Sequence, residues 1–328
     1  MNAPRVSESD YMQFLIAAQQ VYSCVEAERV SPQAAAHDAY TRLLSRLPPD
    51  TEALWQEAQQ LVSLQGGVFI LDDSTLDKPY AKQMALVTRH WSGKHRKVVS
   101  GINLQSLVWS DGARVVPTDC CLYAKTEDSK TKNEHARAMF RSAQTRGFEP
   151  ELVMFDSWYS GLDNLKLLRK QEWGWLCRLK SNRQVDPEGS GNVRIDSLII
   201  SDEGRVVHLK GYGMVKVWRT DAPNGDAQYW ATSHLDMTLA AFERYSAQAW
   251  TVETYHRAIK QCVGIEKAQV RSSKAQRNHI LLALRAFLRL EANRLRNDIS
   301  WYQAKVDIVR NAIRDYLAKP WYELEATA

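Results

Sequence analysis

Nowhere in the 328 residues does an apolar run approach the ~20 residues that a membrane-spanning helix requires. The N-terminus, Met-Asn-Ala-Pro-Arg-Val-Ser-Glu-Ser-Asp, lacks the apolar core of a secretory signal, so the chain is expected in the cytoplasm. Cysteine is sparse. The five residues at 24, 120, 121, 177 and 262 form no Cys-x-x-Cys pair and no Cys/His cluster with zinc spacing, and the eight histidines show no metal spacing either. That excludes a disulfide scaffold and a zinc finger and predicts reduced, mostly buried thiols. No internal repeat or low-complexity segment is present.

Acidic residues are also missing, but locally. Between Asp77 and Asp111 there is none, while Lys78, Lys82, Arg89, Lys94, Arg96 and Lys97 accumulate with His90 and His95 among them. The overall charge is only +5. Residues 1–66 carry eight acidic against four basic side chains, a net −4, so the remainder carries +9. Lys and Arg that neutralise phosphates supply most non-specific affinity for nucleic acid, so this basic stretch reads as a DNA track. With 45% hydrophobic and 25% charged residues and a mean hydropathy of −0.43, the remainder is ordinary for a globular chain that buries a large core.

Apolar residues such as Tyr11, Phe14, Leu15, Ala18 and Tyr22 recur at helical spacing, and residues 8–64 are predicted to be helical. Gly66-Gly67 ends that pattern. A β region follows: a strand Val68–Asp73, then Val98–Trp109 and Arg114–Tyr123 joined as a hairpin by Ser110-Asp111-Gly112. A helix near 132–146, a strand ending in Asp156, a helix near 162–171 and a strand 174–179 complete a β-β-β-α-β-α-β order, which matches an RNase H-like core. Turn formers separate short β runs from 181 to about 236. Helical character resumes at 238–262 and in the helices Asn278–Arg296 and Trp301–Leu317.

Three acidic side chains stand out. Asp73 ends the run Val68-Phe69-Ile70-Leu71, Asp156 ends Leu152-Val153-Met154-Phe155, and Glu253 sits in the helical run Trp250–Lys260. A carboxylate at the end of a buried strand can meet a cation instead of the core. Such hard oxygens suit Mg²⁺ or Mn²⁺, and two ions about 3.5–4 Å apart can stabilise the attacking and leaving oxygens of a phosphoryl displacement. Asp72 competes with Asp73, because only one of two consecutive strand residues points to a given face; Asp73 is favoured, because Asp73-Ser74-Thr75 resembles the Asp-Ser/Thr-Thr signature of metal-dependent enzymes of this type. Glu253, Arg257 and Lys260 share a helix face at i, i+4 and i+7.

These residues resemble the DDE transposases of bacterial insertion sequences, in the group with a β insertion between the second Asp and the Glu. Glu253 and Lys260 match the Glu-x6-Lys signature of that family, Trp250 and His256 look like family positions, and the spacings of 83 and 97 residues between the acids leave room for the insertion. Beyond the Glu helix, residues 263–271, Arg277 and the Asn278–Arg296 helix are similar to the family's C-terminal course. Ser246 and Ala249 stand where its Tyr-x2-Arg element would place Tyr and Arg; Tyr245 and Gln248 lie one residue out of register.

The resemblance implies an α/β fold: an RNase H-like mixed sheet with flanking helices, a β-rich insertion, and helical extensions at both ends. Five segments are expected: a helical N-terminal domain 1–66, the core's first part 67–180, the insertion 181–237, the core's second part 238–296, and a C-terminal extension 297–328. It further implies a Mg²⁺-dependent (or Mn²⁺-dependent) DNA endonuclease and strand transferase, with two ions held by Asp73, Asp156 and Glu253. The chain would carry out cut-and-paste transposition in the bacterial nucleoid, as a homodimer acting on double-stranded transposon ends and target DNA. Arg257 and Lys260 would position phosphate, while Lys94, Arg96, Lys97, Lys267 and Arg271 would contact the DNA backbone. Trp158, Trp218 and Trp230 are candidates for stacking on an unpaired base. Two other uses of these residues are a structure-specific nuclease without strand transfer and a catalytically silent DNA-binding protein.

Overall fold

The computed structural model describes residues 4–92, 97–125, 128–222 and 225–320. The chain opens with helices α1 (Glu8–Ala17), α2 (Cys24–Arg29), α3 (His37–Arg46) and α4 (Glu52–Ala58). Strands β1 (Val68–Asp77), β2 (Thr88–Ser92), β3 (Lys97–Ser110) and β4 (Val115–Tyr123) follow. Then come α5 (Lys132–Thr145), β5 (Leu152–Phe155), α6 (Leu162–Lys170) and β6 (Trp175–Leu179). Five strands succeed these: β7 (Gln184–Asp186), β8 (Val193–Arg194), β9 (Arg205–Leu209), β10 (Gly213–Asp221) and β11 (Ala227–Thr232). Helices α7 (Leu239–Ala249), α8 (Thr251–Cys262), α9 (Ser273–Asn297) and α10 (Trp301–Ala318) close the described chain. The contacts group the chain into two compact units: 51–82 with 86–256, and 1–50 with 83–85 and 257–328.

The larger unit is built on one mixed sheet in the order β2-β3-β1-β5-β6-β11-β10-β9-β7-β8, with β4 also paired to β3. Antiparallel β3 and parallel β5 flank β1, the arrangement of an RNase H-like core. Val68 to Leu71 are fully buried, as a strand covered on both faces demands. Gly67 opens β1 at φ +67°, and a Cβ there would lie 2.7 Å from the Trp109 indole, so only glycine fits. Strand β1 is longer than the sequence predicts. It runs on to Asp77 because Asp72 through Asp77 continue the ladder with β3, paired to Ser106 through Gly101. Asp72 and Asp73 are therefore inside the strand, not at its end. The strands after residue 181 extend the same sheet, since β11 pairs antiparallel with β6 through Tyr229–Leu179 to Thr232–Leu176.

In the smaller unit α1 starts with a capping box, the Ser7 hydroxyl accepting from the Asp10 N–H while the Asp10 carboxylate accepts from the Ser7 N–H. Its face packs on α9, where the Tyr11 hydroxyl meets His279 Nδ1 at 2.9 Å. The Asn278 amide donates to the carbonyls of Leu44 and Leu47 at 2.7 and 2.8 Å, fastening the end of α3. The buried Lys305 ammonium gathers the carbonyls of Ile16, Ala18 and Cys262 and the Tyr22 hydroxyl at 2.5–3.2 Å. Gly264, at φ +58°, lets the Tyr22 ring lie against the backbone; a Cβ would come within 2.4 Å of it.

Candidate acidic site

Strand β1 separates its two aspartates by the alternation of the pleat. Asp73 pairs in register with Gln105 and shares a face with it and with Asn103. There its carboxylate accepts from Lys132 Nζ (2.9 Å), Asn103 Nδ2 (2.6 Å) and the Tyr159 hydroxyl (2.7 Å). Gln105 Nε2 in turn donates to the Tyr159 oxygen and to the Lys132 carbonyl, at 2.9 and 3.0 Å. Burial acts to raise the Asp73 carboxyl, but the Lys132 charge and the three donated hydrogen bonds outweigh it and hold it below the usual carboxylate range. Burial, and then the same carboxylate, push the Tyr159 hydroxyl far up, so it stays protonated and donates.

Asp72 occupies the other face, opposite Ser106. Helix α8 comes down on that face: the Tyr255 hydroxyl lies 3.4 Å from Ser106 Oγ, and His256 Nδ1 lies 3.8 Å from Asp72 Oδ2. Asp156 follows Phe155, the register partner of Leu71, and so comes next to Asp72 where β5 stops while β1 continues. Its Oδ1 accepts from the Trp158 N–H at 2.9 Å. Burial raises Asp72 well above the ordinary range, and the charges of Asp73, Asp156 and Glu253 push it further. Burial also raises Asp156, with Asp73 adding to it and the Trp158 N–H opposing. Glu253, in the first turn of α8, is exposed.

Asp72 thus feels three other carboxylates, and it and Asp156 resist ionising. Hard oxygen donors of like charge are what Mg²⁺ or Mn²⁺ binds, and a bound divalent ion would relieve the repulsion; the donor set fits such ions. Among the described residues no three His, Cys, Asp or Glu side chains converge as a ready metal cage.

The other expected residues divide by exposure. Lys97 is exposed at the start of β3, alongside Lys82 and Arg89, while Lys94 and Arg96 lie outside the described residues. In the smaller unit, Arg257, Lys267 and Arg271 are exposed, and Lys260 forms an ion pair with Glu266 at 3.8 Å. The three tryptophans differ sharply. Trp158 is 57% exposed, with the ammonium groups of Lys132 and Lys180 5.7 and 5.8 Å from its ring centre. Trp218 and Trp230 correct the expectation for an exposed stacking residue. They face each other across β10 and β11 and are buried around Phe242 of α7, Trp218 stacked on it at 4.5 Å and Trp230 edge-on at 5.9 Å, so neither presents a ring to a base here. The out-of-register Tyr245 donates to Glu151 at 2.7 Å, and Gln248 donates to the Ser110 carbonyl at 3.4 Å. No described helix is long and apolar enough to cross a membrane.

Sequence reading missed Lys132, Tyr159, Asn103 and Gln105. They meet Asp73 across 59, 86 and 30 residues, or by cross-strand register, and no local pattern records such contacts.

The sequence model of the DDE superfamily endonucleases matches residues 11–194, a stretch that holds Asp72, Asp73, Lys132 and Asp156. No curated protein matches the chain. Among solved structures, the chain is similar to the piggyBac transposase in its synaptic complex with hairpin DNA: TM-score 0.54 at 9% identity, over 98% of this chain and 74% of that one. That likeness is one of fold. A Drosophila P element transposase in a strand transfer complex also matches, at 9% identity and over 98% of this chain and 88% of that one, but with a TM-score of only 0.30.

Proposed function

The chain belongs to the DDE superfamily endonucleases, and from that membership we propose that it is a metal-dependent DNA transposase whose acidic ligands are Asp72, Asp156 and Glu253. The observation that carries the choice of ligands is the sheet face. Asp72, not the favoured Asp73, faces helix α8 and feels both Asp156 and Glu253, whereas three donors already occupy the Asp73 carboxylate. Divalent cations held there would activate water at a phosphodiester and stabilise the departing 3′ oxygen.

The chain's own groups do the rest. Asp72 and Asp156 offer oxygens from adjacent strands, a rigid base for a site that must place a phosphate accurately. Glu253, exposed in the first turn of α8, would add a carboxylate from the helix to the two from the strands. Exposed Lys82, Arg89 and Lys97 supply positive charge for the DNA backbone, and Arg257, Lys260, Lys267 and Arg271 do so in the smaller unit. The exposed Trp158 indole, next to Asp156, is the candidate surface for an unpaired base.

Cut-and-paste chemistry by a homodimer on paired DNA ends extends this reading; the likeness in fold to a transposase solved with hairpin DNA supports it. Incubating the protein and its Glu253→Gln variant with labelled candidate ends and Mg²⁺, then resolving products on denaturing gels, tests it. Joined products lost in the variant are expected. Cleavage without joining would mean a nuclease, and cation-independent binding without cleavage would mean a silent DNA-binding protein.

A further inference from the structure

Lys132 is the first helical residue of α5, fixed by the Thr131 cap whose hydroxyl accepts from the Glu134 N–H. Its ammonium donates to Asp73 at 2.9 Å and lies 5.8 and 5.7 Å from the ring centres of Tyr123 and Trp158. Gln105 holds the Lys132 carbonyl and the Tyr159 oxygen together, and Tyr159 and Asn103 complete the shell around Asp73. Of the four neighbouring acids, Asp73 is thus the one that accepts a hydrogen bond from a lysine ammonium. A carboxylate that accepts three donors, one of them charged, has little left to offer a metal ion.

We propose that Lys132 is a positioning residue, a built-in counter-ion that withholds Asp73 from cation binding and so leaves Asp72 as the β1 ligand. This rests on the metal-dependent endonuclease reading above. The pleat of β1 sets Asp72 on the opposite face, toward Asp156 and Glu253, and Lys132 acts through Asp73 by keeping that carboxylate occupied on its own face. The neutralised acid adds no further repulsion to the site, and the cation meets three carboxylates instead of four.

Mn²⁺ titration of the DNA-free protein by calorimetry, with thermal melting alongside, tests this. Asp72→Asn is expected to lose the Mn²⁺ response, and Asp73→Asn to keep it. Lys132→Met leaves Asp73 without its counter-ion and should tighten Mn²⁺ about tenfold, equivalent to about 1.4 kcal/mol. Lys132→Arg, which keeps the charge, should behave as the native protein, and Lys132→Met with Asp73→Asn should return to native affinity. Should Lys132→Met alone not fold, the two aspartate variants and the double variant still decide. The inference is overturned if Asp73→Asn loses Mn²⁺ while Asp72→Asn keeps it, or if a folded Lys132→Met binds Mn²⁺ as the native protein does. Failure of the endonuclease reading looks different: the native protein itself then neither responds to Mn²⁺ nor cuts DNA, and the inference falls with it.

Discussion

Two adjacent aspartates on one strand are shifted in opposite directions from the ordinary carboxylate range, and pH separates them. Asp73 is held below the ordinary carboxylate range, so its stabilisation is present above about pH 4 and is lost as pH falls through its lowered value. Asp72 is raised, so its contribution is present at low pH and is lost as pH rises through its elevated value. In metal-free protein, Asp72→Asn should therefore raise the melting temperature near pH 7 by about 2–4 °C, with the gain vanishing toward about pH 4. Asp73→Asn should do the reverse, lowering it near pH 7 and flattening the acid limb. Melting curves across pH check both, and a destabilised Asp72→Asn at neutral pH would contradict the raised carboxyl of that residue. Tyr159→Phe removes one donor from a buried carboxylate and should cost about 1–3 kcal/mol in denaturant unfolding.

At the scale of elements, the strands after residue 181 serve the sheet as well as the site. Trp218 and Trp230 pack on Phe242, joining β10 and β11 to α7, the helix that leads into α8 and Glu253. Trp218→Ala should cost about 3–5 kcal/mol in unfolding while leaving the affinity for DNA of the folded protein unchanged. A loss of binding without a loss of stability would restore it as a DNA contact. In the smaller unit, Lys305 serves four oxygens at once. Burial draws its ammonium down to about 8. Lys305→Met would keep the stem but orphan three carbonyls, and should destabilise by several times the roughly 1 kcal/mol of one hydrogen bond. Chemical denaturation with helix signal as readout checks this.

For the whole molecule, basic charge is exposed at Lys82, Arg89 and Lys97. If these meet phosphates, DNA binding weakens steeply with salt. Each of Arg89→Ala and Lys97→Ala should then reduce the slope of log affinity against log salt by about 0.9, equally for all DNA sequences. Fluorescence anisotropy between low and moderate salt measures it, and an unchanged slope in both variants would remove this surface from the DNA path.

The RNase H-like order of strands and helices was legible in the chain because its signals are local: the apolar run Val68–Leu71, the Ser110-Asp111-Gly112 turn, and the helical periods from 132 onward. The candidate acids stood out for the same reason, each next to a clear element. What the chain alone left open was which of Asp72 and Asp73 shares the face of the sheet on which helix α8 packs. A period of two puts them on opposite faces, but nothing within a strand says on which face a helix 180 residues later will land. Packing decided that, seating Tyr255 and His256 against Ser106 and Asp72. Packing also put Lys132 on Asp73 and buried Trp218 and Trp230, since burial and long-range pairing belong to the folded chain and leave no periodic trace in its sequence.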